Sequence, residues 1–163
     1  MGLRDIVTRL FARPAPVLSE AAPRDAPALA RLHAASFHRG WSEEEFERLL
    51  LEPAVAAHRA TAGDKLAGFV LSRSAAGEAE ILSIAVGTGW RGRGLARLLL
   101  DLHLRRLAGF GVRALFLEVD EDNLPACRLY RRAGFREVGR REGYYRGPAG
   151  KTSTALVLRR DLT

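Results

Sequence analysis

Apolar residues recur along this chain with two periods, and the switches between them divide it into elements. A short strand is predicted over residues 17–22, followed by a helix over about 23–37 that places Leu29, Leu32, His33 and Phe37 on neighbouring faces. Ser42-Glu43-Glu44-Glu45 has the form of a capping box, in which the serine hydroxyl caps the Glu45 N–H and the glutamate side chain returns the bond, so a second helix opens there. Apolar runs over 54–62 and 66–73 are separated by Gly63-Asp64, and a third over 78–86 follows Ala75-Ala76-Gly77, the pattern of an antiparallel meander. Residues 95–108 form the strongest helical pattern, with an expected stripe of Leu95, Leu98, Leu99, Leu102 and Arg106 and an end at Gly109 and Gly111. A strand over 112–119, a helix from the Asn123 cap to about 133, and strands near 135–140 and 154–160 complete the order. This is an α+β pattern built around one mixed sheet.

Residues 1–16 stand apart. Leu3, Ile6, Val7, Leu10 and Phe11 fall at helical spacing between Arg4, Arg9 and Arg13, and Pro14 and Pro16 end the segment, which reads as an amphipathic extension to a single domain over 17–163. Its small apolar face suits docking on protein better than on a membrane. With 163 residues, 47% of them apolar and 28% charged, one globular domain is the expectation. A single cysteine, Cys127, excludes an internal disulfide framework and a cysteine-based zinc site. No run reaches the roughly 20 apolar residues that span a bilayer, and no secretory leader is apparent, so a soluble cytoplasmic protein is expected. His33, His38, His58 and His103 are scattered without metal-ligand spacing; no metal is expected, and the four read as structural or exposed.

Charge changes the picture only in the second half. The chain carries a formal +7, yet residues 1–87 hold 10 basic and 11 acidic side chains while residues 88–163 hold 16 and 8. A basic half suits phosphorylated ligands or ribonucleoprotein, and equally a solvated arginine-rich surface.

Within that half, Trp90-Arg91-Gly92-Arg93-Gly94-Leu95-Ala96 joins a strand to a helix. Gly92 and Gly94 admit a ligand close to the backbone, and the first N–H groups of the helix lack intrahelical partners, so the loop is an anion site suited to phosphate. No Gly-Lys-Ser/Thr follows, and Arg97 stands where a dinucleotide fingerprint needs its third glycine. Glu118 interrupts the apolar run 114–119 and is either a general base or a glutamate on the polar face of a half-buried strand. Tyr130 is either a proton donor to a departing thiolate or a core aromatic with its hydroxyl at the edge. Asn123, seven residues earlier, either touches a ligand or caps its helix.

Arg91-Gly92-Arg93-Gly94-Leu95-Ala96 resembles the pyrophosphate loop of the GCN5-related N-acetyltransferases. Asn123-Leu124-Pro125-Ala126-Cys127-Arg128-Leu129-Tyr130 with Gly134-Phe135 is similar to a second segment of the same family, at the expected distance. Trp41-Ser42-Glu43, Leu117-Glu118-Val119 and Tyr144-Tyr145 bring the chain nearest to the branch that acetylates ribosomal-protein alanines, over roughly Ser19 to the end. Asp120, where an arginine commonly stands, and Gly87-Thr88-Gly89, in place of an acidic-Pro turn, depart from the pattern.

The resemblance implies a central, mostly antiparallel sheet of about seven strands with about four helices, and acetyl-coenzyme A as cosubstrate. It assigns Glu118 as general base and Tyr130 as general acid. The acetyl-pantetheine would lie along Ile84, Ala85 and Val86, the pyrophosphate on Arg91, Gly92, Arg93, Gly94, Leu95, Ala96 and Arg97, and Asn123 would touch coenzyme A. The acceptor it implies is a protein N-terminal α-amine, in particular a ribosomal-protein alanine. A small-molecule amine is the alternative, with a non-catalytic acyl-coenzyme A sensor or a nucleic-acid-binding module behind it; direct nucleic-acid binding is disfavoured because no recognised motif is present.

Overall fold

The computed structural model of the chain describes residues 14–162; most of the expected extension over 1–16 therefore lies outside the described residues. Among the described residues, seven strands and four α-helices follow one another as β1 (Val17–Glu20), α1 (Ala26–Ser36), α2 (Glu43–Leu51), β2 (Val55–Ala62), β3 (Lys65–Ala75), β4 (Glu78–Val86), α3 (Leu95–Gly109), β5 (Ala114–Asp120), α4 (Leu124–Arg132), β6 (Arg136–Arg146) and β7 (Thr152–Asp161). They form a single sheet in the order β1-β2-β3-β4-β5-β7-β6. Only the β4–β5 pair is parallel.

Local chemistry sets the element ends. The Ser42 hydroxyl accepts from the Glu45 N–H at 3.1 Å and the Glu45 carboxylate accepts from the Ser42 N–H at 2.7 Å, the predicted capping box. Pro23 opens a single 3-10 turn, Pro23–Asp25, so α1 starts at Ala26 rather than at the proline. At the other end of the chain, β6 and β7 run longer than their apolar runs, because the two strands pair with each other across polar residues from Arg136 to Arg146.

Two apolar layers cover the sheet. On one side Phe46, Phe69, Leu71 and Ala85 pack with Leu29 and Ala30 of α1. On the other, α3 and α4 bury Leu99, Leu100, Leu104, Leu107, Cys127 and Tyr130 against Val70, Ile81, Leu115, Leu117, Leu156 and Leu158. The stripe expected for α3 is corrected here. Leu95 and Leu99 are buried, but Leu98 is 55% exposed, Leu102 is only partly buried and Arg106 is exposed, while Leu100, His103, Leu104 and Leu107 turn inward. Leucines surround this helix so fully that periodicity offers several stripes, and contact with the sheet selects one.

His103 sits at the centre of that layer as a structural histidine, in a contact with His58 that their spacing in the sequence did not indicate. Its Nδ1 lies 2.7 Å from Nδ1 of His58 on β2, and its Nε2 lies 2.7 Å from Oγ of Ser72 on β3. All three side chains are buried. Burial lowers the pKa of both imidazoles; His103 is brought to about 3, with His58 pushing the same way, whereas Glu20 opposes and Arg106 assists the lowering at His58. Both rings are therefore neutral at pH 7, and one Nδ1–H donates to the other Nδ1. His33 is buried as well, its Nδ1 accepting from the Trp41 N–H at 3.1 Å and its ring stacked 4.5 Å from the indole.

Because the folded-state pKa values lie below the unfolded value near 6.5, the stability tied to these groups is complete above that pH and is lost as the pH falls towards the folded values. The melting temperature of the wild type is expected to fall more steeply from pH 7 to pH 5 than that of a His58→Leu/His103→Leu variant, as measured by thermal denaturation followed by circular dichroism.

Candidate active site

β4 and β5 pair over only three residues. Glu78, Ala79 and Glu80 lie opposite Ala114, Leu115 and Phe116; beyond them Ile81–Val86 and Leu117–Asp120 have no cross-strand partners in each other. β5 is paired along its whole length with β7, so the gap is bordered by a free β4 edge. A bulge explains the divergence: Leu71 lies opposite Ser83 and Ser72 opposite Ile81, which leaves Leu82 as an extra residue that bends β4 away. Ile84, Ala85 and Val86 thus line a cleft with no strand partner on the β5 side, suited to an extended ligand that completes the sheet.

The glycine loop lies at the end of that strand. A 3-10 turn, Thr88–Trp90, carries the chain to Gly92 and Gly94, whose φ values of 73° and 77° are left-handed and whose Cβ positions meet no atom within 4 Å. Gly94 is the N-cap of α3 and supplies no side-chain cap. Among the described residues, the N–H groups of Gly92, Arg93 and Gly94 donate to no backbone carbonyl. Those of Leu95, Ala96 and Arg97 are the first of a helix and lack intrahelical acceptors. A row of donors at a positive helix end fits a diphosphate. The arginines are less free than their number suggests. Arg91 Nε donates to the Val86 carbonyl at 3.1 Å, and Arg93 lies over the Trp90 ring at 5.6 Å. Arg97 is held by Asp101 at 2.9 Å and by the Arg132 carbonyl at 2.8 Å, so its backbone rather than its guanidinium faces the loop's task.

Across the cleft, β5 alternates from Leu115 onward. Leu115, Leu117 and Val119 are buried under the helices, whereas Phe116, Glu118 and Asp120 are half-buried on the opposite face. Glu118 pairs with Arg141 of β6, Oε1 to Nη2 at 3.2 Å. Tyr145 lies beside it: burial pushes its hydroxyl above the usual phenol range, and the Glu118 charge adds to the shift. Tyr130 is buried in α4 against Phe135, its ring centroid 5.7 Å away, and burial raises its hydroxyl strongly. It is therefore a protonated donor at any working pH. Asn123 caps α4, its Oδ1 accepting from the Ala126 N–H at 3.3 Å. The buried Cys127 thiol is likewise held protonated, chiefly by desolvation, which removes it as a nucleophile.

A splayed strand pair, a glycine loop at a helix start and a carboxylate on β5 are an arrangement suited to an acyl-coenzyme A ligand, and the family model for acetyltransferases of the GNAT type matches residues 26–135. The chain belongs to the GNAT acetyltransferase family. It is an acetyl-coenzyme A-dependent N-acetyltransferase. It is 33% identical to the ribosomal protein bS18-alanine N-acetyltransferase of Salmonella typhimurium over 82% of this chain and 89% of that protein. It is 36% identical to the enzyme of the same name from Haemophilus influenzae over 58% of this chain and 64% of that protein, so it spans just under two thirds of that relative. The crystal structure of the ribosomal-protein-S18-alanine N-acetyltransferase from Escherichia coli superposes with a TM-score of 0.85 at 28% identity, covering 91% of this chain and 95% of that one. Arabidopsis thaliana NAA60 in complex with acetyl-CoA shares the fold, with a TM-score of 0.78 at 23% identity over 90% and 98% of the two chains.

Sequence patterns did not single out Arg141 as part of the site, nor the cleft itself. The only local sign of the first is Gly143 within an arginine-rich strand; the second depends on which strands become neighbours. No cluster of metal-binding side chains is present among the described residues, and no described helix is long and apolar enough to cross a membrane.

Replacing Gly94 by Val puts a branched side chain on a left-handed residue at the donor row. Coenzyme A binding measured by calorimetry is expected to weaken by about tenfold or more, a loss of roughly 1.4 kcal/mol, with a smaller effect on the melting temperature.

Proposed function

We propose that this GNAT enzyme acetylates the N-terminal α-amine of a protein in the cytoplasm, its acceptor being a ribosomal protein that begins with alanine. The names of its relatives support the acceptor class. The observation that carries the chemistry is Glu118 on the accessible face of β5, next to the cleft where β4 and β5 part.

In this reading Ile84, Ala85 and Val86 hold the acetyl-pantetheine, while the N–H groups from Gly92 to Arg97 hold the diphosphate, with Arg91 at the loop entrance and Asn123 against the arm. An α-amine has a pKa near 7.7–8.0 and arrives largely as an ammonium at pH 7. Glu118 takes its proton, directly or through water. The freed lone pair attacks the thioester carbonyl, the adduct nitrogen releases its extra proton to water as the C–S bond breaks, and the Tyr130 hydroxyl supplies a proton to the departing thiolate. Burial of Tyr130 disfavours a lasting phenolate, so the donor is restored from solvent after release. No covalent acyl-enzyme is needed.

Glu118→Gln and Tyr130→Phe are each expected to lower kcat by roughly 10²–10⁴-fold with little change in coenzyme A affinity. The measurement is thiol release with peptides that differ in their first residue. Undiminished turnover in both variants would falsify the acid and base roles. Transfer to small amines with none to any peptide would replace the protein acceptor by a small-molecule one.

A further inference from the structure

β6 pairs with β7 in two stretches that are out of step. Arg141 lies opposite Ala155 and Tyr145 opposite Ser153, so residues 142–144 stand against Thr154 alone. Gly143, at a φ of 63°, takes the left-handed turn this bulge requires. Directly opposed residues share a sheet face. Ala155 is opposed by both Asp120 and Arg141, and Val157 is opposed by Glu118, which puts Arg141 on the Glu118 face.

The 3.2 Å contact between Arg141 and Glu118 joins a side chain that is 56% exposed to one that is 21% exposed. The guanidinium also lies over the Tyr144 ring, 5.4 Å from its centroid. The other acid on this face is committed elsewhere, since Asp120 accepts from the Asp122 N–H at 2.9 Å and from the Ser153 hydroxyl at 2.7 Å. Arg140, its neighbour in sequence, pairs with Glu137 and Glu121. Glu118 and Arg141 are thus a private pair at the place where an acceptor amine must meet the carboxylate.

Resting on the reading of Glu118 as general base, we infer that Arg141 is a displaceable counter-ion: its guanidinium holds the ammonium position on Glu118 until a cationic acceptor amine exchanges with it. An ion pair with one largely exposed partner is weak enough to be exchanged, and the partly buried carboxylate is not left uncompensated while no acceptor is bound. On exchange, Arg141 keeps its charge and remains against Tyr144, while the ammonium pairs with Glu118. One proton then moves from nitrogen to Glu118, and the amine lone pair is free to attack. Selection falls on amines that arrive charged, because a neutral group cannot replace the cation.

The test uses Arg141→Ala and Arg141→Gln with Arg141→Lys as the conservative control, at saturating acetyl-coenzyme A and with a peptide beginning with alanine. Removing the competitor is expected to lower the peptide KM by roughly threefold to tenfold. It is also expected to make both variants sensitive to millimolar guanidinium ion, which inhibits competitively against the peptide. Wild type and Arg141→Lys stay insensitive, their site being already filled. A peptide KM that does not fall, or the absence of competition by guanidinium in the Ala and Gln variants, overturns the inference. Should Glu118→Gln retain full turnover, the base itself is wrong; should it lose turnover while Arg141→Ala behaves as wild type, only the counter-ion is.

Discussion

Two parallel strands that pair over three residues and then part are the constraint on which the rest of the molecule turns. Every backbone N–H and C=O in a sheet interior needs a partner, and β4 beyond Glu80 has no β5 partner, although Arg91 donates to the Val86 carbonyl. The bulge at Leu82 bends β4 away, and the resulting edge suits a ligand with amide groups of its own. Pantetheine has that chemistry. The open edge, costly in an isolated sheet, is where the proposed reading seats the acetyl-pantetheine.

The two faces of the sheet divide the work. α3 and α4 cover one face; the Gly92–Gly94 turn and the start of α3 follow the end of β4, and Tyr130 is packed in the core beneath α4. The other face carries Glu118 and Asp120 of β5 and Arg141 and Tyr145 of β6, on either side of β7, a polar floor that the proposed reading gives to the acceptor. β5 serves both, because alternate residues of one strand point to opposite sides. The His58–His103–Ser72 chain ties α3 to β2 and to β3 at the residue where the β3–β4 register shifts. A buried polar chain of this kind fixes the placement of a helix more closely than leucines alone, because its bonds are directional.

Arginine dominates the second half of the sequence, yet many of its guanidinium groups are engaged within the protein. Arg97 bridges to the α4 C-terminus, Arg136 and Arg159 share Asp161, Arg140 bridges two glutamates, and Arg141 rests on Glu118. Formal charge along a sequence therefore overstates what is offered to an anionic partner. In the proposed reading of the glycine loop, backbone N–H groups rather than its arginines carry the diphosphate.

Element order, the Ser42 capping box, the Asn123 cap and the glycine loop were legible in the sequence because each depends on residues within one turn or one strand of each other. Glu118 was legible as a charge breaking an apolar run, and Tyr130 as a residue a fixed number of helical steps from a cap; their roles came from resemblance to the family, not from periodicity. Which of many leucines on α3 face the sheet, the meeting of His58 with His103, and the pairing of Arg141 with Glu118 could not be read in that way. Each joins residues from different elements, and the strand order and bulges that bring them together are set by the packing of the whole sheet. The sequence by itself determined the local donors, caps and strand faces; only the tertiary structure decided which of them meet, because register and splay are properties of neighbouring strands and not of any one of them.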